Sequence, residues 1–387
     1  MDFEEFKEQI AKDLKEVLYS RYGMDASVEQ RTVEKLNSAY DALTVKPEDC
    51  EIGVSMNLDT LYDAYRNGEA YDVVLNKAAE LADGSLRNKP EFNIENIMNY
   101  DVMKETLVME VVSADRNADF LKNIPHKNIE DLAVVYRFQV CGMEDGHGTI
   151  LVTNDLLDKY GITAEQLHAD ALEKAPEIQP IVFEGMAEVL ARQMGVENVE
   201  MLGLNVPPEE EQMIVVSVEG NVHGAGVLAY RDFCEKASER VGNQSFFLLP
   251  SSIHELLIIP DNGKFDVPSL EMMVREVNAT TVDPAEQLTD NVYHYDAEAK
   301  IFERGDKFVQ RQQAKEAGID MGEPNVDKDG IKGEIVNEKA HEAKSEVQGE
   351  KKSLIADLKA KKEQIAAAPK KENAPEIKPK AKGGDAR

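Results

Sequence analysis

The sequence predicts an α+β protein with mixed, largely antiparallel sheets built from strand–turn–strand–helix units, followed by a disordered C-terminal tail. Three observations predict it. Short runs of alternating apolar and polar residues are joined by tight turns, which antiparallel strands permit and parallel strands do not. Stretches of helical period fall between these runs without the one-for-one alternation of a doubly wound sheet. Composition and charge then change together near residue 306. Of 44 basic and 74 acidic side chains, 18 and 16 lie in 306–387, which leaves 26 and 58 for the first 305 residues. The body is strongly acidic. The tail is rich in Lys, Glu, Ala and Pro and has too few large apolar residues to offset the entropy of ordering. The chain therefore divides into an N-terminal α+β region (1–125), a region with two hairpin–helix units (126–305) and a charged tail (306–387).

Asp2 to Tyr22 places Phe3, Phe6, Ile10, Leu14, Val17 and Leu18 on one helical face, and Gly23 supplies the stop. Val28–Leu36, Tyr40–Val45 and Glu51–Met56 alternate like a three-stranded meander. Leu58–Arg66 and Tyr71–Leu81 read as helices and Met103–Val112 as a strand. Asn117–Lys122 is a short helix ended by the Ile124-Pro125 step. Leu132–Val140 is a strand that turns at Asp145-Gly146, returns over Thr149–Thr153 and enters a helix at Asn154. Thr163, with Gln166 at the capping-box position, starts a helix expected to stop at Lys174 before Pro176; Gly185–Gln193 is another helix.

Gln212–Val218, a turn, Ala225–Ala229 and a helix over Tyr230–Val241 read as a second unit of the same kind. His147-Gly148 and His223-Gly224 then hold the same turn position, which suggests an internal duplication. Ser245–Leu249 and Leu256–Ile259 are strands around the Pro250-Ser251-Ser252 turn. Pro268–Asn278 is a helix, and Val292–Tyr295 with Lys300–Glu303 closes the body as a hairpin. In the tail, Ser353 caps a short helix over 353–367, with Leu354, Ile355, Leu358 and Ile365 at helical spacing. Alone it is marginal in water, but it suits a partner's groove.

Cys50, Cys141 and Cys234 are too few and too scattered for a disulfide framework or a thiolate metal site. The acidic, amphipathic start lacks the basic and apolar regions of a signal peptide, so a cytoplasmic protein is expected. No run approaches the about 20 apolar residues of a membrane-spanning helix, so no membrane partner is expected. A net charge of −30 opposes direct nucleic-acid binding by the body.

The candidates for chemistry are few. His254-Glu255 opens like a zinc-protease helix, but the second His position holds Ile258 in a strand-like run. Ser252 and His254 offer a hydroxyl and an imidazole, outside any nucleophile elbow. Gly146-His147-Gly148 precedes a strand, unlike a dinucleotide loop. His147 and His223 would form an acid–base or metal pair if pseudo-symmetry brought them together. Asn325-Val326-Asp327-Lys328-Asp329-Gly330 starts like a calcium loop whose twelfth position is Val336 in place of Glu. No cofactor and no metal are expected.

Four blocks carry a family resemblance: SADRNADFLKNIPHKNIEDLAVVYRFQV, TILVTNDLLDKYGITAEQLHADAL, SFFLLPSSIHELLIIPD and EMMVREVNATTVDPAEQLTDNVYHYD. Their ordered series over most of residues 1–300 resembles the uncharacterised domain-of-unknown-function family 5688, seen mostly in gut Firmicutes. The resemblance implies a cytoplasmic bacterial protein, encoded on a mobile element, and it transfers no catalytic set. The leading expectation is a non-enzymatic protein-interaction module that binds a protein partner through the tail helix. The alternatives are an enzyme using polar groups of the two hairpin turns, with His147 and His223, and an acidic mimic of nucleic acid.

Overall fold

In the computed structural model, Asp2 accepts from the Glu5 N–H at 2.9 Å and Glu5 accepts from the Asp2 N–H at 3.2 Å, a capping box that opens α1 (Phe3–Tyr22). The structure describes residues 1–337 apart from positions 49, 51–52, 88–93, 144–145, 196–210, 251 and 320–321. Gly23, with φ 64°, ends α1 in the left-handed conformation that glycine adopts without strain. The meander follows as β1 (Ala26–Lys35), β2 (Ser38–Pro47) and β3 (Val54–Asn57), antiparallel in that order, and then α2 (Leu58–Arg66) and α3 (Tyr71–Arg87). Phe6, Ile10 and Leu14 of α1 pack with Leu43 of β2 and with Ala78 and Ala82 of α3, whose small side chains let the helices approach. This core is built from residues 3–86 alone.

A second core begins beyond α4 (Ile94–Ile97) and α5 (Tyr100–Met103). β4 (Leu107–Ser113) and α6 (Ala118–Leu121) lead to β5 (His126–Ile129), β6 (Leu132–Met143) and β7 (Gly146–Leu151). The long β6 pairs with β4 along one edge, and with β5 and then β7 along the other, all antiparallel. α7 (Asn154–Tyr160), α8 (Ala164–Ile178), β8 (Val182–Gly185), α9 (Met186–Gln193) and β9 (Ile214–Ser217) follow. Next come α10 (Phe233–Arg240), β10 (Phe246–Leu249), β11 (Leu256–Pro260) and α11 (Val267–Thr280). β12 (Tyr293–Asp296), β13 (Ile301–Arg304) and α12 (Gly305–Glu316) precede the short strands β14 (Val326–Asp327), β15 (Gly330–Ile331) and β16 (Ile335–Val336). The second sheet runs β13-β12-β10-β11-β9-β8, again antiparallel throughout. Strand alternation lets one face of each sheet feed a common core: Met109 and Tyr136 from the first, Val216 and Leu248 from the second, with Leu167 of α8 between them in sequence.

The fold class is as the sequence predicts; four details differ. The boundary at 125 cuts through a sheet, because β4 pairs with β6 over its whole length. α8 runs through Pro176 to Ile178. Pro176 sits in the last turn, where it removes only the bond to the Leu172 carbonyl, while Gln179 N–H still reaches Ala175 at 2.8 Å. Ala225–Ala229 is not a return strand. Residues 224–229 form a buried 3-10 helix, and β9 pairs with β8 and β11 instead. The two units therefore differ in topology, and His147 lies inside β7 while His223 lies in a loop, so they share no turn position.

The fold also extends past residue 306. Arg311 of α12 donates to Glu303 at 2.7 Å and to Asp296 at 3.0 Å. Asn325 receives the Phe302 N–H and donates to the Phe302 carbonyl, both at 2.7 Å. The calcium-like run forms the β14–β15 hairpin, with Asp327 accepting from Asp329 N–H, and β16 adds to β5. Backbone pairing and buried ion pairs hold this segment, and composition does not register either. The tail helix expected over 353–367 lies outside the described residues.

One carboxylate ties the two sheets. Asp131, in the β5–β6 turn, accepts from Thr289 Oγ1 and Asn291 Nδ2, each at 2.9 Å, and from the buried Tyr293 hydroxyl of β12. Asp131→Ala leaves that hydroxyl buried without a partner. The expected loss is about 3 kcal/mol of stability, read from the urea midpoint.

Candidate functional site

β4 is fully buried, and its one charged residue is at its centre, where Glu110 is 3% exposed. Alternation turns Glu110 away from the face of Met109 and Val111, toward the face of Arg137 on β6. Arg137 Nε donates to Glu110 Oε2. The other carboxylate oxygen, Oε1, stands 2.7 Å from Nδ1 of His223, a close charge contact and not an aligned hydrogen bond. Burial alone raises the carboxyl pKa; contact with His223 and the charge of Arg137 outweigh it and hold Glu110 below the ordinary carboxylate range.

His223 reaches this position through a strained backbone. It has φ 56° and ψ 29°, in the left-handed region, which costs a residue with a Cβ about 1–2 kcal/mol. The reason is on either side of it. The 3-10 helix after His223 covers the free edge of β4 so closely that a Cβ on Gly226 would overlap the Met109 carbonyl. A Cβ on Gly224 would likewise overlap the Ser217 hydroxyl. The chain has to turn sharply at His223 to enter this groove, and the Glu110 contact offsets the strain.

His254, in the loop after β10, completes the cluster. The His223 N–H donates to His254 Nδ1 at 3.2 Å, so Nδ1 is an acceptor and the ring proton sits on Nε2, 3.3 Å from Glu286 Oε1. The ring centroids of His223 and His254 are 5.5 Å apart. Ser252 Oγ accepts from the His254 N–H at 3.1 Å, and Ser217 Oγ donates to the His254 carbonyl at 2.7 Å. Both imidazoles remain about a third open to solvent.

The structure thus unites three of the four residues singled out in the sequence: His223, Ser252 and His254. Ser252 meets the backbone of His254 and not its ring, so the two do not form a nucleophile–base pair. The side chain of His147 lies outside the described residues, and its pairing with His223 with it. Glu110, Arg137, Ser217 and Glu286 were not legible as partners. Glu110 alone left a signal, a single charge inside LVMEVVS. Among the described residues, no group of three or more His, Cys, Asp or Glu side chains is placed to hold a metal ion.

Chemically, the cluster is a clasp: a buried carboxylate held between Arg137 and His223, pinning the loops after β9 and β10 to the edge of β4. The chain belongs to a family of unknown function (DUF5688), whose model matches residues 3–297. No curated protein and no solved structure matches it. Among the described residues, no helix is long and apolar enough to cross a membrane.

Proposed function

We propose that this chain is a non-enzymatic, cytoplasmic interaction protein whose partner presents a basic protein surface. Charge carries the reading: residues 1–337 hold 65 acidic and 31 basic side chains, while 338–387 hold 9 and 13. Such a field steers a basic partner and repels nucleic acid. The clasp is consistent with it, because its hydroxyls and the Nδ1 of His254 serve the chain's own loops. The C-terminal helix suggested by the sequence would add a second contact.

The test is affinity capture on the full chain and on a version ending at Asn337, at low and high salt. The expected result is a defined basic partner held by the folded part, released as salt screens the contact. Competition of that partner by duplex DNA would mark the acidic surface as a nucleic-acid mimic. A partner list that is unchanged by salt contradicts the reading. Neighbouring genes test the expectation of a bacterial mobile element.

A second reading rests on one contact. A buried carboxylate behind a partly open imidazole is the orienting half of an acid–base site, and Glu110–His223 has that form. It predicts that turnover of simple aryl esters or phosphates is lost in His223→Gln while the urea midpoint is largely kept. No turnover by the native chain counts against it.

A further inference from the structure

The α8 side of the first sheet carries a polar constellation that the clasp does not use. Lys127 of β5 and Tyr136 of β6 point to this face, since Lys127 is opposite Val134 in the register and Val134 and Tyr136 share the core with Met109. His168 of α8 bridges them: its Nδ1 is 3.0 Å from the Tyr136 hydroxyl and its Nε2 is 3.3 Å from Lys127 Nζ. Lys127 and His168 line an open cavity of ≈ 330 Å³, whose wall also includes Glu165, Arg231, Asp327, Asp329 and Lys332. Its outer wall comes from 327–335, beyond the 3–297 that the family model matches, so the cavity depends on this chain's own continuation.

We propose that this cavity binds a small aldehyde or ketone, which Lys127 captures as an imine. Lys127 is 6% exposed, and its Nζ stands 3.3 Å from the His168 imidazole, which cannot neutralise an ammonium. Burial accordingly lowers the lysine pKa, despite the opposing charges of Asp327 and Asp329. Burial, and then the charges of Lys127 and Arg231, hold His168 down to about 4, so it stays neutral and able to take a proton. Lowering its pKa raises the fraction of Lys127 that carries the lone pair imine chemistry needs.

The step balances. The Nζ lone pair adds to the carbonyl carbon as the C=O π pair moves to oxygen. His168 Nε2 relays the two amine protons in turn to that oxygen, which leaves as water while the C=N bond forms. Imidazole suits the transfer because its two nitrogens exchange donor and acceptor roles between Lys127 and Tyr136. At the mouth, Arg231 pairs with Asp329 at 3.8 Å and Lys332 with Asp327 at 3.7 Å, so the rim carries mixed charge.

The experiment treats the full chain with pyridoxal 5′-phosphate at neutral pH, reduces it with borohydride and maps the modified lysines by mass spectrometry. Lys127 should be labelled faster than exposed lysines, because a lowered pKa raises its free-amine fraction. Labelling of Lys127 no faster than exposed lysines overturns the proposal, and this comparison is made in the native chain and so needs no variant to fold.

Discussion

Glu110→Ala should destabilise the protein by about 3–5 kcal/mol, because it strands Arg137 and His223 around a site built for a carboxylate. Glu110 is 3% exposed and both its oxygens are engaged, so no water shell replaces what is lost. His223 would also keep a left-handed backbone with no contact to offset it. The pH dependence has a definite sign. The folded-state pKa of Glu110 is lowered from 4.5, so its contribution is fully present above the unfolded glutamate range. That contribution disappears as pH falls through the lowered value. The stability gap between the native chain and Glu110→Gln should therefore be largest near neutrality and close in acid. Urea titrations across that range measure it, and a gap that widens in acid would contradict the account.

Gly226→Ala carries the second large effect. Its φ is ordinary, so the substitution strains no dihedral; the added methyl meets the Met109 backbone. Backbone cannot rotate away as a side chain can, and the 3-10 helix has to lift from the edge of β4. The expected loss is about 3 kcal/mol or more. Gly161→Ala serves as a contrast, since nothing stands within 4 Å of its Cβ position and only its φ of 69° resists the change. Urea midpoints should place Gly226→Ala well below Gly161→Ala. If the two match, close packing against the β4 edge is not what that glycine provides.

Much of this fold was legible because local signals were unambiguous. Gly23 is a stop and Thr163 a start that the structure uses as such, although the Gln166 side chain donates to Asp170 and leaves the capping box half formed. The alternation in residues 26–47 and the Asp296 turn fixed their hairpins, as the registers of β1–β2 and β12–β13 confirm. Ala225–Ala229 was not legible, because a short apolar run reads equally as a buried strand or a buried helix. Its two glycines, Gly224 and Gly226, were the clue: they mark close backbone approach and not strand pairing. The segment 305–337 was obscured by averaging its charges with those of the tail. The site was half legible. His223, Ser252 and His254 were visible as residue types, but what joins them is a backbone N–H, a hydroxyl and a buried carboxylate more than a hundred positions from His223 in the chain.

The central claim is that the histidine cluster is a loop clasp, with both ring nitrogens of His254 committed to the chain itself. Nitrogen-15 NMR of the imidazole side chains, just above neutral pH, tests it most directly. The account predicts His254 as a single tautomer, with a bare Nδ1 accepting the His223 amide proton and the ring proton on Nε2. A protonated Nδ1, or a ring averaging between the two forms, would contradict it.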